Sequence, residues 1–241
     1  MNVLTPNPYP GLFIVFEGLD GSGESTQAEM LAKVLKAEFG GRRVWLTKEP
    51  SESSVGGTIR DSLQGIYRLS PTALQFMFIA DRFIHLTKEK SGIIPRLGRG
   101  DLVVNDRYHF STMAFGSIPE DLNDDEEHLI RLFSSYNELL VLLNQRFGLI
   151  WPDLTFILQV PPKVCVQRIA ESRGHVELFE EEMKLTAVWR AYEYLHRCYR
   201  DAEVYLLDGE RPIEVIAEEV LATVKVHPKF QSVKEILRLS P

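Results

Sequence analysis

Residues 18–26 read Gly-Leu-Asp-Gly-Ser-Gly-Glu-Ser-Thr, and the spacing Gly18-x4-Gly23-x-Ser25 is that of a phosphate-binding loop. In such a loop Gly18, Gly21 and Gly23, with Ser22 among them, let successive backbone N–H groups point inward at phosphates. A helix opening at Ser25 and Thr26 lies beneath, and the Ser25 hydroxyl is placed for magnesium. The chemistry indicated is the grip of a nucleotide's phosphate tail. One position departs from the pattern: Glu24 stands where a lysine would neutralise the β- and γ-phosphates. A unit charge about 4 Å from a phosphate charge is worth about 4 kcal/mol at an effective dielectric of about 20. Replacing lysine by glutamate reverses its sign, a swing of several kcal/mol against nucleotide unless Mg²⁺ screens it or Glu24 turns away. Taken alone, the stretch also fits a glycine-rich strand-to-helix turn with no ligand.

The elements that must position this loop are legible from periodicity. Short β-branched and aromatic runs recur at Leu12–Glu17, Arg43–Thr47, Leu102–Asn105, Leu154–Val160 and Val204–Leu207, separated by helix-length segments. The alternation predicts a parallel sheet with helices on both faces. Helices are predicted over Gln27–Phe39 after Ser25 and Thr26, over Thr72–Lys90 after Ser70-Pro71, and over Lys163–Ser172 after Pro161-Pro162. The acidic Pro119–Glu127 stretch and the Glu171–Glu177 turn read as mobile, and a short helix is predicted at Val233–Leu239. No repeat or linker divides the chain, so residues 1–241 are expected to form a single domain, with a core over 11–225 and a tail over 226–241.

Composition bounds the rest. The chain has 241 residues, 44% hydrophobic and 25% charged, which excludes a disordered or fibrous protein. With 27 basic and 34 acidic residues the net charge is −7, which argues against a broad nucleic-acid or anionic-membrane surface. Apolar runs such as Leu12–Phe16 fall far short of the ~20 residues a membrane helix needs. Cys165 and Cys198 both lie in helical patterns, so a disulfide framework or zinc cluster is not expected and a reducing, cytoplasmic setting is. His85, His109 and His175 show no metal-ligand spacing.

Several motifs, in order along the chain, carry a resemblance. Phe16-Glu-Gly-Leu-Asp-Gly-Ser-Gly followed by Ser25-Thr26-Gln27 resembles the opening of thymidylate kinases. Thr47-Lys-Glu-Pro50 with Ile59-Arg60 resembles that family's Arg-Glu-Pro segment, and Phe78-Ile-Ala-Asp81-Arg82 its acceptor-binding helix. Leu102-Val-Val-Asn-Asp106-Arg107-Tyr108 resembles its Asp-Arg-Tyr strand end; residues 152–158 and Val204–Asp208 resemble its last two strands. The resemblance spans roughly residues 11–225. It implies a P-loop three-layer α/β/α fold with a five-stranded parallel sheet and a lid segment, and transfer of the γ-phosphoryl group of ATP to dTMP with Mg²⁺, usually by a homodimer.

The same resemblance implies roles. Gly18, Gly21, Ser22, Gly23, Glu24, Ser25 and Thr26 would line the ATP phosphates, with Ser25 and Asp106 serving the metal. Phe78 would stack on thymine and Arg82 would hydrogen-bond the base edge. Lys48, Arg107 and Ser111 would meet dTMP, Phe115 would crowd the 2′ position, and Asp20 would lie near the 3′-hydroxyl. Arg107 would bridge the two phosphoryl groups, and Arg173 would bring charge over the donor from the lid. Departures gather on the transfer side: Glu24, Lys48 for an arginine, Ser51 and Glu52 for a Gly-Gly pair, and Leu178 where some members carry arginine. The alternatives are a weak or inactive homologue acting as a nucleotide-binding or regulatory module, and a kinase for another nucleotide or a deoxynucleoside.

Overall fold

The computed structural model describes residues 5–118, 126–173, 178–199 and 201–239. Among them, strands β1 (Leu12–Gly18), β2 (Val44–Lys48), β3 (Leu102–Asp106), β4 (Leu154–Gln159) and β5 (Val204–Asp208) form one parallel sheet in the order β2-β3-β1-β4-β5. Helices α1 (Glu24–Phe39), α2 (Ser54–Leu63), α3 (Pro71–Thr87), α4 (Ile93–Gly98) and α5 (His109–Gly116) occupy the first half. Helices α6 (Glu126–Phe147), α7 (Pro162–Arg173), α8 (Leu178–Tyr199), α9 (Ile213–Val226) and α10 (Pro228–Leu239) complete it.

Every residue of β1 is buried, as a central strand covered on both faces requires. Its side chains divide by parity. Phe13 and Val15 join Leu86, Met113, Phe133 and Leu185 on one face, whereas Leu12, Ile14 and Phe16 join Leu31, Leu35, Val220 and Phe230 on the other. The expected layering therefore holds, and so do the five strands, each to within a residue or two at its ends.

Register aligns the carboxyl ends of the inner strands. Phe16 of β1 and Lys48 of β2 both stand opposite Asp106 of β3. In open α/β sheets ligands sit outside this edge, where neighbouring strands depart in opposite directions. Here β1 leads through α1 to the far edge strand β2, and the crevice opens between β1 and β3.

Three helix expectations are corrected. Helix α1 begins at Glu24, three residues before Gln27, because left-handed Gly23 turns the chain directly into it, with no side-chain cap. Helix α3 ends at Thr87 rather than Lys90, because Lys88 leaves helical geometry and Lys90 takes a positive φ of 62°. The tail helix is longer than expected and docks Phe230 and Val233 into the core. Residues 119–125 and 174–177, which carry most of the two segments read as mobile, lie outside the described residues.

Candidate functional site

The glycine loop closes over the start of α1. Gly21 and Gly23 hold φ of 82° and 100°, a region that L side chains rarely adopt. A Cβ on Gly21 would also lie 2.9 Å from the Cys165 carbonyl of α7, so the loop packs against that helix. Ser22 N–H donates to the Leu19 carbonyl at 2.9 Å and ties the turn. Gly18 closes β1, and Thr26 is exposed on the first turn of α1.

Glu24 faces inward. The residue is 5% exposed; Oε2 accepts from the Ser22 hydroxyl at 2.8 Å, and Oε1 accepts from Arg107 Nη2. Burial pushes this carboxyl up from its ordinary value, Asp106 adds to the rise, and Arg107, Glu24's own backbone N–H and Ser22 oppose it. Arg107 follows β3 with a φ of 68°. Its Nη2 also donates to Asp20 Oδ1 at 2.6 Å, while Nη1 donates to the Gly18 carbonyl at 3.1 Å and Ser111 Oγ at 3.4 Å. The guanidinium carbon lies 5.3 Å from the Phe115 ring centre. Burial works against this charge, but Glu24 and Asp20 more than offset it and hold the guanidinium protonated.

Beside this pair, the Ser25 hydroxyl donates to Asp106 Oδ2 at 2.5 Å, and Asp106 Oδ1 is buried with no partner among the described residues. A hydroxyl and a carboxylate with an unused oxygen are hard donors of the kind Mg²⁺ takes, with water and phosphate completing its shell. No group of three or more acidic, His or Cys residues able to hold a metal occurs among the described residues. Burial raises the Asp106 carboxyl, opposed by Ser25, Arg107 and Lys48. A cavity of about 490 Å³ runs from Ser25 and Asp106 past exposed Lys48 to Ser51 and His85.

On the acceptor side the outcome is mixed. Phe78 is half-buried on α3, one turn before Arg82. Arg82, expected at a base edge, is 1% exposed and turned inward. Its Nε donates to Glu49 Oε2 at 2.8 Å, Nη1 to Thr112 Oγ1 at 2.9 Å and Nη2 to the Tyr108 carbonyl at 2.8 Å, with Nη2 also 2.7 Å from Glu49. In this structure it is a buried tie between α3, the segment after β2 and α5. Ser111 donates to Glu17 Oε2 at 2.5 Å and contacts Tyr192 Oη at 3.0 Å, so it braces the site from α5.

Residues that sequence reasoning left without a role prove structural to the site. Glu17, wholly buried in β1, accepts from the Tyr108 and Phe110 backbone N–H groups at 3.0 Å and from Tyr192 Oη at 3.1 Å. An acid inside an apolar strand was the available signal. Asp81 accepts from Ser51 N at 2.6 Å and from the Ser51 and Ser53 hydroxyls, so the Ser51 departure has a dedicated partner. Arg168 of α7 donates to the Gly21 and Ser22 carbonyls at 3.3 and 3.4 Å, which adds a cation at the loop. Arg173 ends α7 and Leu178 begins α8, but their side chains lie outside the described residues.

The structure thus brings Gly18, Asp20, Gly21, Ser22, Gly23, Glu24, Ser25, Asp106, Arg107, Ser111 and Phe115 to one crevice. A solved thymidylate kinase from Ehrlichia chaffeensis superposes with a TM-score of 0.63 over 90% of this chain and 99% of that one, at 24% identity, and shares the fold. The thymidylate kinase of Chlamydia felis is 32% identical over 216 residues, 87% of this chain and 95% of the relative. That of Bifidobacterium longum is 32% identical over 172 residues, 69% of this chain and 75% of the relative. The family profile described as thymidylate kinase matches residues 16–220, from the end of β1 into α9 and so across the whole crevice, and the chain belongs to the thymidylate kinase family.

Proposed function

We propose that this chain transfers the γ-phosphoryl group of ATP to the phosphate of dTMP, giving ADP and dTDP for deoxynucleotide synthesis. The carrying observation is the convergence of Ser25, Asp106 and Arg107 at the mouth of a glycine loop, in a chain matched to the family over residues 16–220. An acceptor phosphate oxygen is already anionic, so the reaction needs positioning and charge neutralisation rather than a strong base. In the transfer that oxygen forms a bond to the γ-phosphorus as the bond from γ-phosphorus to the β–γ bridging oxygen breaks, and ADP leaves with that electron pair.

In this reading the loop amides and Ser22 hold the donor phosphates, and Arg107 spans donor and acceptor. Phe78 and Phe115 bracket the nucleoside, and Asp20 and Lys48 lie toward its sugar and phosphate. Arg173 approaches the donor from the lid, and Arg82 supports the base pocket by fixing α3 to α5. Ser25 and Asp106 would hold Mg²⁺, which when bound neutralises phosphate charge. We further take the chain as one cytoplasmic domain that pairs as a homodimer; exposed Phe76, Ile84 and Leu142 on α3 and α6 supply apolar surface for a second copy. No helix among the described residues is long and apolar enough to cross a membrane.

A coupled ADP-release assay with ATP, Mg²⁺ and dTMP tests the activity. Turnover is expected from this chain, with a gain of tenfold or more for Glu24→Lys on electrostatic grounds. Absence of turnover from both, with dTMP still raising the melting temperature, would instead mark a nucleotide-binding module, the reading favoured by three carboxylates, Asp20, Glu24 and Asp106, around one guanidinium.

A further inference from the structure

The departure at position 24 has a second side. A phosphate in a glycine loop is held by three kinds of donor: a loop hydroxyl, backbone N–H groups and a nearby cation. The Glu24 carboxylate already takes two of these, the Ser22 hydroxyl at 2.8 Å and the Arg107 guanidinium through Nη2. We propose that Glu24 is an internal phosphate surrogate, whose carboxylate holds the loop and the Arg107 guanidinium until a nucleotide polyphosphate displaces it. The proposal rests on the reading of this crevice as the nucleotide site and deepens it, naming the residue that sets how tightly the donor binds.

Three observations carry it. Both terminal nitrogens of Arg107 are already engaged, Nη1 with the Gly18 carbonyl and Ser111, Nη2 with Asp20 and Glu24, so a phosphate oxygen can gain these donors only by replacing a present partner. Of the two carboxylates, the Asp20 side chain is 43% exposed, whereas that of Glu24 is 7% exposed and fixed from behind by Ser22, so Glu24 is the stronger competitor. Arg107 itself sits at φ 68°, a conformation that a bulky residue keeps where its surroundings hold it. A lysine at position 24 would instead leave Asp20 as the one carboxylate hydrogen-bonded to the guanidinium among the described residues, with Asp106 acting on it only through space. The cost of Glu24 is therefore an internal competition that acts through Arg107, in addition to any repulsion of phosphate at a distance.

The test reads binding, so it stands apart from turnover. Isothermal titration of the full chain with Mg²⁺ and the non-hydrolysable donor adenylyl-imidodiphosphate is compared among wild type, Glu24→Gln and Glu24→Ala. The same substitutions are repeated in an Arg107→Ala background, with melting curves to verify folding. The expected result is a Kd lowered by about tenfold or more in both Glu24 variants, the scale of one charge-assisted hydrogen bond. In the Arg107→Ala background that gain shrinks to twofold or less. An unchanged or raised Kd overturns the proposal. So does a gain of equal size without Arg107, which would leave long-range repulsion as the whole effect. If Kd responds as expected while no variant turns over dTMP, the surrogate stands and the assigned reaction falls; turnover with an indifferent Kd gives the reverse.

Discussion

Arg82 and Glu49 form a pair whose two side chains are each 2% exposed, with guanidinium nitrogens 2.7 and 2.8 Å from one carboxylate oxygen. A buried pair of this kind contributes little over an apolar substitute, yet losing one partner strands the other charge. Glu49→Ala is therefore expected to lower unfolding stability by about 3–5 kcal/mol, read as a lower urea midpoint at unchanged slope. Neither partner was legible as such, because Glu49 and Arg82 are 33 residues apart and Glu24 and Arg107 are 83 apart, separations that no local spacing reveals. The Phe78-to-Arg82 spacing placed ring and guanidinium on one stretch of α3, but the amphipathic pattern could not tell an arginine facing a ligand from one facing the core. Asp106 and Arg107 were legible, because a strand with an acid and a cation at its carboxyl end announces the ligand edge of the sheet.

At the scale of elements, the loop and α7 act as one unit. Gly21 lies against the Cys165 carbonyl, and Arg168 reaches back to the carbonyls of Gly21 and Ser22. Gly21→Ala adds a Cβ at 2.9 Å from that carbonyl and holds a left-handed φ that costs about 1–2 kcal/mol outside glycine. The variant is expected to lose at least that much stability in urea and to weaken adenylyl-imidodiphosphate binding, because α7 or the loop must give way. The strands were legible through their periodicity, and α3 and α7 through their proline starts. The start of α1 was not: Ser25 and Thr26 look like caps, but the left-handed turn at Gly23 begins the helix before them.

For the molecule as a whole, the titration of buried groups sets the acid limit of stability. His109 is 1% exposed, packed among Tyr108, Phe110 and Trp151, with neither ring nitrogen partnered among the described residues. Burial, reinforced by Arg82, pushes its pKa well below the ordinary value of 6.5. The unfolded chain then binds the proton more readily, so the stability held by neutral His109 is present above about pH 6.5 and is lost as pH falls through the unfolded pKa. Glu17 works in the opposite sense. Burial raises its carboxyl above 4.5, so its contribution is full below that value and is lost as pH rises through the folded pKa. Urea midpoints measured between pH 7.5 and 5.5 are expected to fall for the wild type and to fall less for His109→Phe, which isolates the histidine.

The position of the two thiols has a practical consequence. Cys165 is buried against the loop and burial holds its thiol up at about 12, whereas Cys198 is exposed near the end of α8. Alkylating reagents need both access and thiolate, so a maleimide dye will take Cys198 and spare Cys165. The unaltered chain therefore comes with one addressable handle, at the end of α8 just before β5, which takes a fluorophore without any engineered cysteine.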